Sequence, residues 1–247
     1  GQSAPTTFYA NTETWNGTAW TEVGDLPTAL QGVTGFGTNT AAVSFGGYPS
    51  YTAANKWNGT SWTATGSCNT GMAWGGASGI QTAGLKFGGN DYLVATETFD
   101  GSTWTSVNSL NDSGKQGFPT TKGTQAATMW AGGEDRKDSN EEWNGTSWTE
   151  IANLNTGRSA GGSSGIVTAA LAFGGNVPPR TAVCESWNGT SWTEVGDLVT
   201  GNNQGVGIGA AAASAFNCGG TPVPSSYVNA VEEWADPVYS SKTVTVS

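Results

Sequence analysis

The chain has 247 residues, and its 9 Lys and Arg against 19 Asp and Glu give a net charge of −10. That balance argues against nucleic acid, which needs a basic patch, and against an anionic membrane surface. Twelve tryptophans argue against disorder, because disordered chains are poor in aromatics.

In chain order, the first predicted element is a two-stranded hairpin over residues 7–23, carrying Trp15-Asn16-Gly17-Thr18-Ala19-Trp20. The anchor Trp-Asn-Gly-Thr-x-Trp returns at residues 57–62, 143–148 and 187–192, with a diverged copy running from Phe99 to Trp104 and a partial one beginning at Trp234. The first positions, 15, 57, 99, 143, 187 and 234, are 42 to 47 residues apart. A second anchor is a glycine pair ending an apolar run, at Gly46-Gly47, Gly88-Gly89, Gly132-Gly133, Gly174-Gly175 and Gly219-Gly220. Two anchors in fixed phase at this period predict a four-stranded unit repeated as propeller blades.

The fourth unit reads most clearly. Strand a is expected over residues 160–165, b over 168–174, c over 181–187 and d over 191–195. Strand b is a continuous apolar run, as a strand buried on both faces requires. Between c and d, Asn188-Gly189 predicts a tight type I′ turn. Glycine-rich strand a suits the crowded centre of the disc. The chain ends on an a–b pair near residues 205–219, a c-like run over 228–234 and a terminal strand over 242–246. Five a–b pairs and six c–d pairs result, so the last sheet is expected to be completed by strands from one or both termini.

The Gly-Gly pair after an apolar strand, followed by a Glu-x-Trp strand and a Trp-containing strand, resembles the kelch β-propeller family. The Glu-Ser-Trp-Asn-Gly-Thr-Ser-Trp-Thr-Glu run at residues 185–194 is similar to repeat proteins of bacteriophages and aquatic viruses, associated with tails or fibres. The resemblance implies a single all-β domain over residues 1–247: a five-bladed kelch-like β-propeller of four-stranded antiparallel blades, its ring closed by terminal strands. It also implies a place outside the cell, on a virion surface. The period is shorter than in a usual kelch repeat.

Loops a–b and c–d emerge on one face of such a disc, and loops b–c and d–a on the other. The c–d loop is Asn-Gly-Thr or Asp-Gly-Ser in every unit, and the a–b loop is always short. The b–c loops share almost nothing, from Tyr48-Pro49-Ser50-Tyr51 to Glu134-Asp135-Arg136-Lys137-Asp138. At the start of strand a, Gly32, Trp74, Phe118, Ala160 and Gln204 are read as one aligned position. A constant face and a diversified face are what a binding surface on a rigid scaffold produces. The expected ligand-binding residues are Tyr48, Tyr51, Trp74, Asn90, Tyr92, Phe118, Arg136, Arg158, Asn176, Arg180, Asn202 and Gln204. The aromatics would stack on sugar rings, and the Asn, Gln and Arg side chains would bond hydroxyls or an acidic sugar.

Catalysis is not expected. The chain has no histidine, which removes the usual triads and imidazole metal sites. Arg136, Arg158 and Arg180 together resemble a sialidase arginine cluster, yet no tyrosine nucleophile with an acidic partner can be placed. Glu134, Asp135 and Asp138 are interrupted by Arg136 and Lys137, so a solvated loop is expected there in place of a calcium site. Cys68, Cys184 and Cys218 are odd in number and form no CxxC, which predicts neither a disulfide framework nor a zinc site. No cofactor is therefore expected. The start at Gly1 predicts a processed chain or part of a longer polypeptide. Two functions follow: a module that binds a cell-surface glycan or host receptor, or a spacer that contacts other virion or filament subunits and takes no small ligand.

Overall fold

The computed structural model describes residues 8–90, 93–112, 114, 116–120, 122–211, 214–222, 231–235 and 242–244. Five four-stranded antiparallel sheets follow one another as the blades of a β-propeller. Blade I consists of Thr34–Thr38, Ala41–Phe45, Ala54–Trp57 and Trp62–Ala64, and blade II of Gly76–Ile80, Ala83–Phe87, Thr96–Phe99 and Trp104–Val107. Blade III is built from Phe118–Pro119, Thr128–Gly133, Lys137–Trp143 and Trp148–Ile151, and blade IV from Gly162–Ile166, Ala169–Phe173, Cys184–Trp187 and Trp192–Val195. Blade V comprises Val206–Ala211, Ser214–Cys218, Val231–Ala235 and Lys242–Val244. Every blade has the strand order a-b-c-d. In blade III strand a is cut to two residues at Pro119, where the Thr120 hydroxyl takes over as acceptor for the Met129 N–H at 3.1 Å.

The c–d turn differs from the expected type. Positive φ is confined to the glycine (Gly59 +93°, Gly189 +93°), and the preceding Asn sits at the turn's first position. Its side chain replaces the second positive-φ residue as the organiser: Asn188 Oδ1 accepts the N–H groups of Thr190 and Ser191, both at 2.9 Å. The paired residues Trp187 and Trp192 close the loop from either side.

The glycine pair latches each blade to the next. Gly174 has φ +63°, and a Cβ there would lie 2.5 Å from the Asn202 carbonyl oxygen; Gly175 then donates its N–H to that oxygen at 2.7 Å. The same N–H bond runs from Gly47 to Met72, from Gly89 to Gly114 and from Gly133 to Arg158. The core lies between blades. Phe45 and Trp104 meet at 5.1 Å across blades I and II, and Phe87 and Trp148 at 4.9 Å across II and III. In strand c, the indole N–H of Trp57, Trp143 and Trp187 donates to the a–b loop carbonyls of Asn39, Gln125 and Val167.

Blade V is completed by the C-terminal strand, with Val231 opposite Val244 and Glu233 opposite Lys242. The surplus element is therefore the N-terminal hairpin Glu13–Trp15 and Trp20–Glu22, a separate two-stranded sheet among the described residues.

Candidate ligand-binding face

The d–a loops that build the variable face are held by buried carboxylates. In blade IV, Glu185 accepts the backbone N–H of Asn155 at 2.7 Å and of Thr156 at 3.2 Å, and the Asn155 side chain bridges Glu185 to the Trp192 carbonyl. Glu97 holds Asn69 and Thr70 in the same way, and Glu141 holds Asn111 and Asp112. Buried charge needs a partner. In blade II, Lys86 from strand b pairs with Glu97 at 3.0 Å, both side chains being fully buried. In blade IV strand b carries Ala172 instead, and Arg158 from the loop fills the space, pairing with Glu185 and donating to the Ala172 carbonyl at 3.1 Å.

The loops so anchored converge on the axis of the disc. Gly32, Trp74, Gln116, Ala160 and Gln204 share a left-handed backbone, with φ of +70°, +55°, +58°, +56° and +60°. Trp74 donates its N–H to the Gly32 carbonyl at 2.9 Å, Gln116 to Trp74 at 3.1 Å, Ala160 to Gln116 at 2.6 Å and Gln204 to Ala160 at 2.5 Å. A belt of backbone bonds thus links one residue from each blade around the axis. The non-glycine members hold a conformation that costs of order 1–3 kcal/mol apiece, repaid by the belt bonds. Trp74 lays its half-buried indole over Gly32, where a Cβ would come within 2.5 Å of the ring. The glycine makes the room.

The belt corrects the sequence alignment. Gln116, not Phe118, stands at the position of Trp74. Phe118 is 2% exposed, packed between blades III and IV with the Arg158 guanidinium 5.5 Å from its ring. Each belt residue lies six positions after an apolar residue (Leu26, Cys68, Leu110, Leu154, Leu198), and counting from that residue would have found Gln116.

Of the other expected residues, Tyr48 is exposed and meets Tyr51 edge-on at 5.9 Å, with Phe8 on its other side at 5.5 Å. Arg136, Asn176 and Gln204 are exposed. Arg158 and Asn202 are corrected to structural roles: both are buried, Arg158 against Glu185 and Asn202 donating to the Gly219 carbonyl at 2.7 Å. Asn90 accepts the Ala73 N–H at 2.7 Å, and Arg180 donates to the Pro222 carbonyl at 2.7 Å, so each ties its own loop to another loop. Tyr92 lies outside the described residues. The arginines that suggested a cluster are thus divided between an interior ion pair and separate loops.

With the blades, the inter-blade latches and the axial belt in place, the architecture can be set beside solved structures. The chain is similar to YjhT. The match covers 99% of each chain with a TM-score of 0.77, at 14% sequence identity, and at that identity it shows the propeller fold alone. No protein-family model matches the chain, and no curated protein does. The fold shared with YjhT leaves the side chains of the belt and loops to be read from this sequence.

A cavity of about 940 Å³ runs along the whole of Thr34–Thr38 in blade I, beside residues 77–80 of blade II and residues 122–126 of blade III. Glycine, alanine and threonine supply about half of its lining, Lys122 is among the rest, and it extends to Leu26 and Trp62.

Proposed function

We propose that the protein is a non-catalytic binding module that holds a cell-surface glycan or host receptor on its b–c and d–a loop face. The observation that carries this reading is the axial belt: one backbone position, held at nearly the same φ in five blades, bears Gly, Trp, Gln, Ala and Gln. Diversified side chains on an invariant backbone are how a rigid scaffold presents a recognition surface. The Trp74 indole offers an apolar platform of the kind on which a sugar ring stacks. Gln116 beside it and Gln204 at the far end of the belt bring amide donors and acceptors, and exposed Tyr48 with half-buried Tyr51 adds a second aromatic surface in blade I. Exposed Arg136 suits an acidic sugar. Several weak contacts around one disc would act together by avidity. The resemblance of the Trp-Asn-Gly-Thr repeat to phage and viral fibre proteins supports an extracellular, virion-borne setting.

A glycan array tests this with Trp74→Gly as the partner variant, because glycine already occupies the same backbone position at Gly32. Binding to a related set of glycans, lost in Trp74→Gly with the melting temperature kept, is the expected outcome. A blank array, or binding indifferent to Trp74, overturns the assignment of this face to glycans. The spacer reading would then draw on the exposed tryptophans of the N-terminal hairpin.

A further inference from the structure

Four c–d turns begin Asn-Gly, at Asn16, Asn58, Asn144 and Asn188, and all four asparagines are exposed. In each, the side-chain Oδ1 accepts the backbone N–H groups of the residues two and three further on, at 2.9–3.0 Å. An oxygen held there lies over the intervening peptide, which sets the carboxamide carbon beside the glycine nitrogen. The glycine has no Cβ to obstruct that approach, and its φ is +93° to +98° in all four turns. Two N–H donors on one carbonyl oxygen also form an oxyanion hole. They draw electron density from the carbon and stabilise the charge that gathers on the oxygen when a nucleophile adds.

The c–d turn of blade II carries an aspartate in the same place. Asp100 Oδ1 accepts the Ser102 and Thr103 N–H groups at 2.8 Å, and its carboxylate also accepts the Ser102 and Thr103 hydroxyls at 2.9 and 2.8 Å. Hydroxyls stand at both matching positions, as Thr-Ser, in the turns of Asn58, Asn144 and Asn188, and at one of them in the turn of Asn16. The Ser147 and Ser191 hydroxyls accept the Asn144 and Asn188 amide N–H at 3.4 Å. To a carboxylate the same hydroxyls would donate.

We propose that the four Asn-Gly turns are sites of spontaneous deamidation, each built to convert its asparagine to the aspartate that blade II already carries at Asp100. The glycine nitrogen attacks Cγ and gives up its proton to solvent base; the bond from Cγ to Nδ2 breaks, and ammonia leaves with a proton from water. Water then opens the succinimide, so the net reaction consumes one water and releases one ammonia. Addition at Cγ, whose oxygen rests on the two N–H groups, breaks the new bond and restores an ordinary peptide with an aspartate side chain. Addition at the main-chain carbonyl would leave isoaspartate, which lengthens the backbone by one methylene and strains the register that pairs Trp187 with Trp192. The oxyanion hole therefore steers the turn to aspartate. Each conversion adds one negative charge to the constant c–d face of a chain already at −10.

Incubation of the full 247-residue chain in mildly alkaline buffer, with and without urea, followed by peptide mapping in a mass spectrometer, tests this. The folded chain is expected to gain one mass unit at each of the four asparagines, with aspartate in excess over isoaspartate, and the urea-unfolded chain to show isoaspartate in excess. Thr190→Pro removes one of the two N–H donors to Asn188 and should slow conversion there at least about tenfold, while Asn58 and Asn144 in the same molecule keep their rates. Asp100→Asn, which leaves every backbone donor in place, should add a further converting site at residue 100. A folded chain that keeps its four asparagines while the urea sample converts overturns the proposal. So do isoaspartate in excess in the folded chain, an undiminished rate at Asn188 in Thr190→Pro, and an inert residue 100 in Asp100→Asn.

Discussion

Asn16, Asn58, Asn144 and Asn188 each turn the chain between strands c and d by accepting two backbone N–H groups on the side-chain oxygen. Asp100 does the same with a carboxylate and also accepts the hydroxyls of Ser102 and Thr103. Those donors, the Thr103 N–H foremost, hold its carboxyl well below the ordinary 3.8. A depressed folded pKa contributes stability above the unfolded value, and that contribution is lost as pH falls through the folded one. Thermal melts of wild type and Asp100→Asn should therefore differ by a constant amount above about pH 4, and the difference should turn against wild type in more acid solution. The interchange of Asn and Asp was legible in the sequence. The single positive φ was not, because whether Asn or Gly adopts it depends on where the N–H groups of the next two residues point. Gly174 makes the complementary case: Gly174→Ala sets a Cβ against the Asn202 carbonyl at an unfavourable φ, and should cost about 1–3 kcal/mol in urea unfolding.

In blades II, III and IV the repeated element is a loop pinned to a buried glutamate, and its charge balance is solved differently in blades II and IV. Lys86 on strand b neutralises Glu97, while Met72 stands at the loop position that Arg158 occupies in blade IV; there Ala172 on strand b leaves room for Arg158. Glu185→Ala strands a fully buried guanidinium and should cost about 3–5 kcal/mol. The double variant Glu185→Ala, Arg158→Met should recover much of that loss in the same unfolding measurement, since the charge and its partner leave together. Arginine in a variable loop reads as a surface ligand from sequence, and Arg158 was read so. The clue pointing inward was Ala172, a small residue where blade II has Lys86, and its meaning depends on strand b facing the preceding loop.

Across the molecule, the apolar clusters join successive blades, so stability is expected to be a sum of nearest-neighbour terms, as in other repeat arrays. Cys68 and Cys184 lie in two of these seams, and burial pushes both thiols up to about 12. The neutral thiol is the form the fold keeps. Its contribution is complete below the ordinary value of 9.0 and is lost as pH rises toward the folded value. Unfolding free energy should therefore hold steady up to about pH 9 and decline from there toward about pH 12 in wild type, and decline less in Cys68→Ala. A thiol reagent at neutral pH should modify both residues only as fast as the seams open.

The sequence alone determined the period, the four-strand unit, the constant and variable faces, and the excess of c–d pairs over a–b pairs. These are local matters, set by turn chemistry and by apolar runs within some 40 residues of one another. Tertiary structure decided the rest. It placed Lys242–Val244 in blade V and left the N-terminal hairpin as the surplus. It drew Phe118, Arg158 and Asn202 inward and brought Gln116 to the axis beside Trp74. Those outcomes turn on which backbone carbonyl the next blade presents and how much space its side chains leave, and neither quantity exists until the blades have packed.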